Sequence, residues 1–201
     1  MSSLDAKLRE QMRADIRRIQ QTLGITSVYV THDQAEAMAL SDRIVVMQQG
    51  RVVQVGTAYD VYRPPVNAFV ADFIGKANLL PARVVGVSPE RLDLEVLGRP
   101  LSVPSANGVY RVGEPATLLV RPEAMLLLQR SGESYPGRVR RTAYLGPLVE
   151  YDVDVADMAL CLTQYDPRQV YPVGSEVCVQ FVTEALYLLP PAVSVPSGRG
   201  L

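Results

Sequence analysis

The chain has 201 residues, 48% of them hydrophobic and 20% charged, with a net charge of −1 and an isoelectric point near 5.9. That is enough apolar material for one large or two small globular domains, and the near-neutral balance argues against nucleic acid or an anionic membrane as a direct partner. No stretch approaches the roughly 20 consecutive apolar residues of a membrane span, and MSSLDAKLRE, the start of the chain, lacks the apolar core of a signal peptide.

Taken in chain order, Leu4, Leu8, Met12, Ile16, Ile19 and Leu23 recur at spacings of four and three, which predicts a long helix with one apolar stripe, stopped at Gly24. SVYVT, residues 27–31, is β-branched and aromatic and predicts a short buried strand. Asp33 with Glu36 makes a D-x-x-E capping pattern opening a helix through Leu40. RIVVMQQGRVVQVG, residues 43–56, predicts two strands around a turn at Gln49-Gly50. Thr57 with Asp60 caps a short helix that stops at Pro64-Pro65. Asn67 opens another, with Phe69, Val70, Phe73 and Ile74 on its apolar face and Gly75 at its end.

After Asn78 the helical period disappears. Short apolar runs follow, among them ARVVGV, RLDLEVL, ATLLVRP, AMLLLQ, GRVRRTAYLG, LVEYDVDV, MALCLT, EVCVQFV and ALYLL, separated by Gly, Pro, Asn and Ser. This spacing predicts a small all-β barrel. The expected organisation is an α/β piece over residues 1–78 and an OB-like β-barrel over residues 79–201, with a disordered tail, PSGRGL. Cys161 and Cys178 lie in strand-like runs with no C-x-x-C spacing and read as small buried hydrophobes. Glu150, Asp152 and Asp154 alternate along one face of a strand, opposite Arg138, Arg140 and Arg141 across the Gly146-Pro147 turn. A cation site and a solvated face of cross-strand ion pairs both fit that pattern; the second is the expectation. The ten tyrosines are read as core and rim residues rather than as a stacking platform for single strands.

The α/β piece is unusual because it offers one central strand and one hairpin, where a doubly wound domain buries several parallel strands. Its residues carry a resemblance. SSLDAKLRE followed by VYVTHDQAEAMALSDRIVVMQQGRVVQVGT resembles the C-terminal end of the nucleotide-binding domain of ATP-binding cassette (ABC) importer ATPases, in the branch serving maltose, polyamine, iron and sulfate. VYRPPVNAFVADFIGKANLL is similar to that branch's junction, and VRPEAMLLL with GRVRRTAYLGPLVEYDVDV looks like its regulatory OB-like barrel, the TOBE domain. Ala58 stands where the family often has proline after Gly-Thr.

The resemblance implies roles. Ser2, Ser3, Leu4 and Asp5 match the D-loop, which crosses the ATPase dimer interface near the partner's nucleotide; an ordinary S-x-x-D cap reads equally from these residues. His32, the single histidine, matches the switch histidine that contacts the γ-phosphate and helps position the attacking water, with Thr31 and Asp33 beside it. Implied for the parent are ATP with Mg²⁺, a homodimer through the TOBE domain, membrane permease subunits, and a cytoplasmic place against the inner face of the membrane. Yet the sequence contains no G-x-x-x-x-G-K-[ST] loop, no LSGGQ-like signature and no apolar run ending in Asp-Glu ahead of the D-loop. The expectation is a truncated gene product, an experimental truncation or a misassigned start, inactive alone and needing no cofactor. The transported substrate is not readable, with polyamine or iron favoured over sugar by GKANLLPARV. Two other readings are a stand-alone barrel binding a small ligand or oxyanion, and an OB-type nucleic-acid binder that the charge balance opposes.

Overall fold

A computed structural model describes residues 3–105, 110–129, 134–165 and 167–190. The side chains of residues 3–7 and 9 lie outside this description, as does the PSGRGL tail. The chain forms two compact units, Met1–Val66 and Asn67–Leu201.

The first unit begins with helix α1 (Ser3–Leu23), closed by Gly24 in the left-handed region, φ 61°. Helix α2 (Gln34–Leu40) follows, then the hairpin β1 (Ile44–Gln48) and β2 (Arg51–Gly56). Its turn uses Gln49 and Gly50 at φ 50° and 75°, the two positive angles a tight hairpin turn of the expected kind demands. Helix α3 (Ala58–Tyr62) carries the full reciprocal capping box between Thr57 and Asp60.

One expectation fails here, and one apolar face is left uncovered. Residues 27–31 form no strand, and Val28 and Val30 are 92% and 93% exposed. Leu8, Met12, Ile16, Ile19 and Leu23 on α1 are all exposed as well. The reasons are one: among the described residues no strand layer lies alongside 27–31 or beneath the stripe, and a strand pattern without a hydrogen-bonding neighbour cannot form a ladder. The face of α1 that makes contacts is its arginine face, described below.

The second unit opens with helix α4 (Ala68–Ile74), capped by the Asn67 side chain. Its buried face is Val70, Ala71 and Ile74; Phe73, expected there, is exposed and stacks on Phe69 instead. Ala71 packs with Leu119 and Leu189. That is why the spatial division falls between Val66 and Asn67, one short helix earlier than the change of pattern at residue 78.

The rest is antiparallel β. One sheet has the order β12-β6-β3-β4-β5, built from β3 (Asn78–Val87), β4 (Arg91–Val96), β5 (Arg99–Pro104), β6 (Pro115–Val120) and β12 (Tyr187–Leu189). The other has the order β10-β9-β8-β11-β7, built from β7 (Met125–Leu128), β8 (Tyr135–Tyr144), β9 (Leu148–Val155), β10 (Met158–Tyr165) and β11 (Glu176–Phe181). Alternation sets the faces: Leu92, Leu94 and Val96 of β4 and Val149, Tyr151, Val153 and Val155 of β9 point into one shared core. Strand β5 escapes a pattern search because Pro100 and Pro104 interrupt it. It is an edge strand, where proline is tolerated. Gly137 on β8 sits where backbones approach closely, since a Cβ there would lie 2.8 Å from the Asp154 carbonyl oxygen. Cys161 and Cys178 are half-buried rather than fully buried, on strands that are not neighbours in their sheet.

Asn78 joins the two sheets. Its side-chain amide donates to the carbonyls of Val120 (3.1 Å) and Cys161 (2.8 Å) and accepts from the Cys161 amide at 2.7 Å. The side chain thus replaces a missing strand partner for β10, the edge of the opposite sheet. Asn78→Ala strands these backbone groups in a buried place and is expected to cost about 2 kcal/mol. A urea midpoint that falls with the slope unchanged checks this; a loss below about 0.5 kcal/mol would show that water replaces the amide.

Candidate functional site

The turn at residues 31–36 is built by short-range bonds and one long arginine. Asp33 is the N-cap of α2, and its Oδ1 accepts from the amides of Ala35 (2.9 Å) and Glu36 (3.2 Å). The reciprocal half of the expected capping pattern is absent. The Asp33 amide donates to Thr31 Oγ1 at 2.9 Å, while the Glu36 carboxylate accepts from the hydroxyls of Thr31 (2.8 Å) and Tyr29 (3.3 Å). Arg13 of α1 then reaches both acids, Nη2 lying 3.0 Å from Asp33 Oδ2 and 3.2 Å from Glu36 Oε1. One turn further on, Arg17 donates to the Leu40 carbonyl at 3.1 Å and pairs with Asp42. The helix α1 therefore holds both ends of α2, with positive charge at its C-terminal carbonyls.

Arg13, Tyr29, Thr31, Asp33 and Glu36 are all used in this way, and His32 is not. Its imidazole is exposed and makes no hydrogen bond among the described residues. A residue that capped the helix would point inward; here Asp33 does that work, so the backbone is fixed and the imidazole is presented. Ser3 and Asp5 lie within the first turn of α1, but their side chains, and Ser2 altogether, fall outside the described residues.

Asp33 and Glu36 are held below the ordinary carboxylate range, Asp33 chiefly by the Glu36 amide and Glu36 chiefly by the Thr31 hydroxyl, with Arg13 adding to both. Depressed carboxylates stabilise the folded turn above the unfolded-state pKa, and that contribution is lost as pH falls through the folded value. The turn is expected to hold from neutral pH down to about pH 4 and to loosen below it. Carbon-detected NMR titration of the carboxylates checks this, and Thr31→Val is expected to raise the Glu36 midpoint more than Arg13→Met does. Ordinary midpoints in the unsubstituted chain would mean the network does not persist in solution.

The acid–base face of the barrel resolves into ion pairs. Arg141 binds Asp152 in two-pronged fashion, at 2.6 and 3.2 Å, and lies 3.7 Å from Glu150. Lys76 pairs with Glu150, and Arg140 with Asp154 at 3.8 Å. A bulge between Val139 and Arg141 puts two successive arginines within reach of this face. Arg138, in register with Asp154, turns away to the Gly174 carbonyl. Such exposed pairs contribute about 0.2–1 kcal/mol each. No group of three or more His, Cys, Asp or Glu that could hold a metal occurs among the described residues.

Sequence reasoning passed over Arg121, the largest fully buried side chain among the described residues of the second unit. The available signal was a lone arginine inside an apolar run, TLLVRPEAMLLL.

The TOBE domain family matches residues 118–189. The Fe(3+) ions import ATP-binding protein FbpC of Brucella abortus (strain 2308) is 40% identical over 189 residues, covering 94% of this chain and 53% of the relative. The proteins of the same description from Rhizobium etli and Vibrio cholerae are 39% and 36% identical. The chain spans about half the length of the curated relatives it matches. A crystal structure of the cytoplasmic molybdate-binding protein ModG superposes with a TM-score of 0.50 and 12% identity, over 57% of this chain and 96% of that one, which shows a shared fold.

Proposed function

We propose, for a chain that carries a TOBE domain and aligns along nearly its whole length with the C-terminal part of ABC-importer ATP-binding subunits, that it serves as the tail and regulatory portion of such a subunit. The observation that supports this best is the His32 turn: an arginine-braced frame that presents one exposed imidazole with no hydrogen bond among the described residues. In this reading His32 faces the γ-phosphate of ATP and orients the attacking water, while Ser3 and Asp5 approach the nucleotide of a second subunit. The imidazole's part is positional; it lends a hydrogen bond at a fixed place and carries no covalent step.

Among the described residues no group of three or more His, Cys, Asp or Glu that could hold a metal occurs, and no step is routed through the ion. ATP and Mg²⁺ belong, in this proposal, to the longer parent. Its cargo is ferric iron, by the printed names of the relatives. Its partners are membrane permease subunits and a second copy of the chain meeting through the TOBE domain, at the cytoplasmic face of the membrane. No helix among the described residues is long and apolar enough to cross a membrane.

The DNA upstream of the first codon tests the reading. An in-frame segment encoding an apolar strand that ends in Asp-Glu supports it. An in-frame stop with no such segment overturns it.

A further inference from the structure

The barrel is tied shut on one side by Asn78, but among the described residues no hydrogen bond joins β5 to β7, the end strands of the two sheets. Residues of both strands line a groove of about 820 Å³, whose walls include Arg99, Leu101, Leu126, Tyr135 and Phe181. That volume lies within the range of sites for small organic molecules, about 300–1,000 Å³, and far exceeds a tetrahedral inorganic anion.

The polar groups of the groove are unequally committed. Arg91 is engaged, its Nε and Nη2 donating to the Ser102 hydroxyl (2.9 Å) and carbonyl (2.8 Å). Glu184 is held below the ordinary range by its own backbone amide and the Thr183 hydroxyl first, and by the Arg91 charge as well. Arg99, by contrast, makes one hydrogen bond, to the Ser134 carbonyl at 2.9 Å, and no ion pair among the described residues. Near it lies Tyr135, 4% exposed and packed on Phe181 with ring centroids 4.8 Å apart. The Tyr135 hydroxyl is buried and meets no hydrogen-bond partner among the described residues. Burial pushes this phenol up, with the Arg99 charge acting against it, so the group stays a donor in need of an acceptor.

We propose that this groove binds a small organic carboxylate, whose anionic head meets Arg99 and, on a small side-chain shift that uncovers it, accepts from the Tyr135 hydroxyl, while its apolar body lies against Leu101, Leu126 and Phe181. The pairing follows from chemistry: a guanidinium with unused N–H groups and a phenol without an acceptor both call for a carboxylate oxygen. The apolar walls call for a body that an inorganic oxyanion lacks. Asp93 and Glu184 at the other end repel a polyanion such as a nucleic-acid strand.

Benzoate is the probe, titrated into the full 201-residue chain by calorimetry and NMR, with sulfate at equal ionic strength as the control. Saturable one-to-one binding of benzoate is expected, with no matching response to sulfate. Arg99→Met is expected to weaken binding about tenfold or more, as for loss of a hydrogen bond to a charged group. Tyr135→Phe, which keeps the ring packing, is expected to weaken it severalfold, and Arg141→Met on the ion-paired face to leave it unchanged. If Arg99→Met does not fold, Tyr135→Phe and Arg99→Lys decide. Absent saturation, equal response to sulfate, or unchanged affinity in the groove variants overturns the proposal.

Discussion

In the longer ATP-binding subunit proposed above, replacing His32 with alanine is expected to lower ATP turnover about 10²–10³-fold, the usual effect of losing one positioned donor at a charged transition state. The same change in the 201-residue chain is expected to alter nothing, because its phosphate release with Mg²⁺-ATP is expected to stay at background. An imidazole alone cannot replace a phosphate-cradling loop and its lysine, and neither is encoded in this sequence. The structure sharpens the first half of this expectation. The His32 side chain takes no part in the hydrogen bonds that fix the turn, so its removal leaves Thr31, Asp33, Glu36 and Arg13 in place. A loss of turnover in the parent therefore reports chemistry and not unfolding, and an unchanged melting temperature beside it would confirm that separation. Histidine-dependent phosphate release from the 201-residue chain would sink the whole assignment. So would undiminished turnover in the substituted parent.

The largest stability effect is expected at Arg121. Its side chain is 0% exposed, and Nη1 donates to the carbonyls of Ala71 (2.7 Å), Gly75 (3.2 Å) and Lys76 (3.1 Å). These carbonyls belong to α4 and the residues just after it, where helical acceptors have lost their own donors, and where positive charge is favoured. Arg121→Ala removes the donor, leaves a cavity and uncovers the acceptors; the expected cost is about 3–5 kcal/mol, the range for breaking a buried charged contact. Arg121→Met restores the volume but not the bonds, and is expected to recover only part of the loss. Chemical denaturation of the three proteins measures both steps. A cost below about 1 kcal/mol for Arg121→Ala would mean that water satisfies α4 as well as the guanidinium does.

Arg121 and Asn78 share a lesson about legibility. Each is a polar residue within an apolar run, and sequence patterning records only that it interrupts the run. What the interruption serves, a helix end for Arg121 and a foreign strand edge for Asn78, depends on which segments the fold brings alongside. The same limit explains the strand expected at residues 27–31. Its composition was right for a strand, but a strand exists only as one member of a ladder, and composition cannot supply the other member. Strand β5 is the converse case, with a composition wrong for an interior strand and a place at the sheet edge where proline does no harm.

Local chemistry, by contrast, was carried by the sequence alone. The α1 stop at Gly24, the Gln49-Gly50 hairpin turn, the Thr57–Asp60 capping box and the alternating faces of β4 and β9 all follow from rules that act within a few residues. The pairing of β9 acids with β8 arginines was likewise legible. Tertiary structure decided the rest: which arginine meets which acid across the β8 bulge, that α4 packs with the barrel strands, that the apolar stripe of α1 stays exposed, and that an Arg99 with one hydrogen bond and a buried Tyr135 hydroxyl without a partner among the described residues share one groove. Backbone hydrogen bonds and side-chain periods are set by neighbours in the chain, whereas burial and the partners of charged groups are set by neighbours in space.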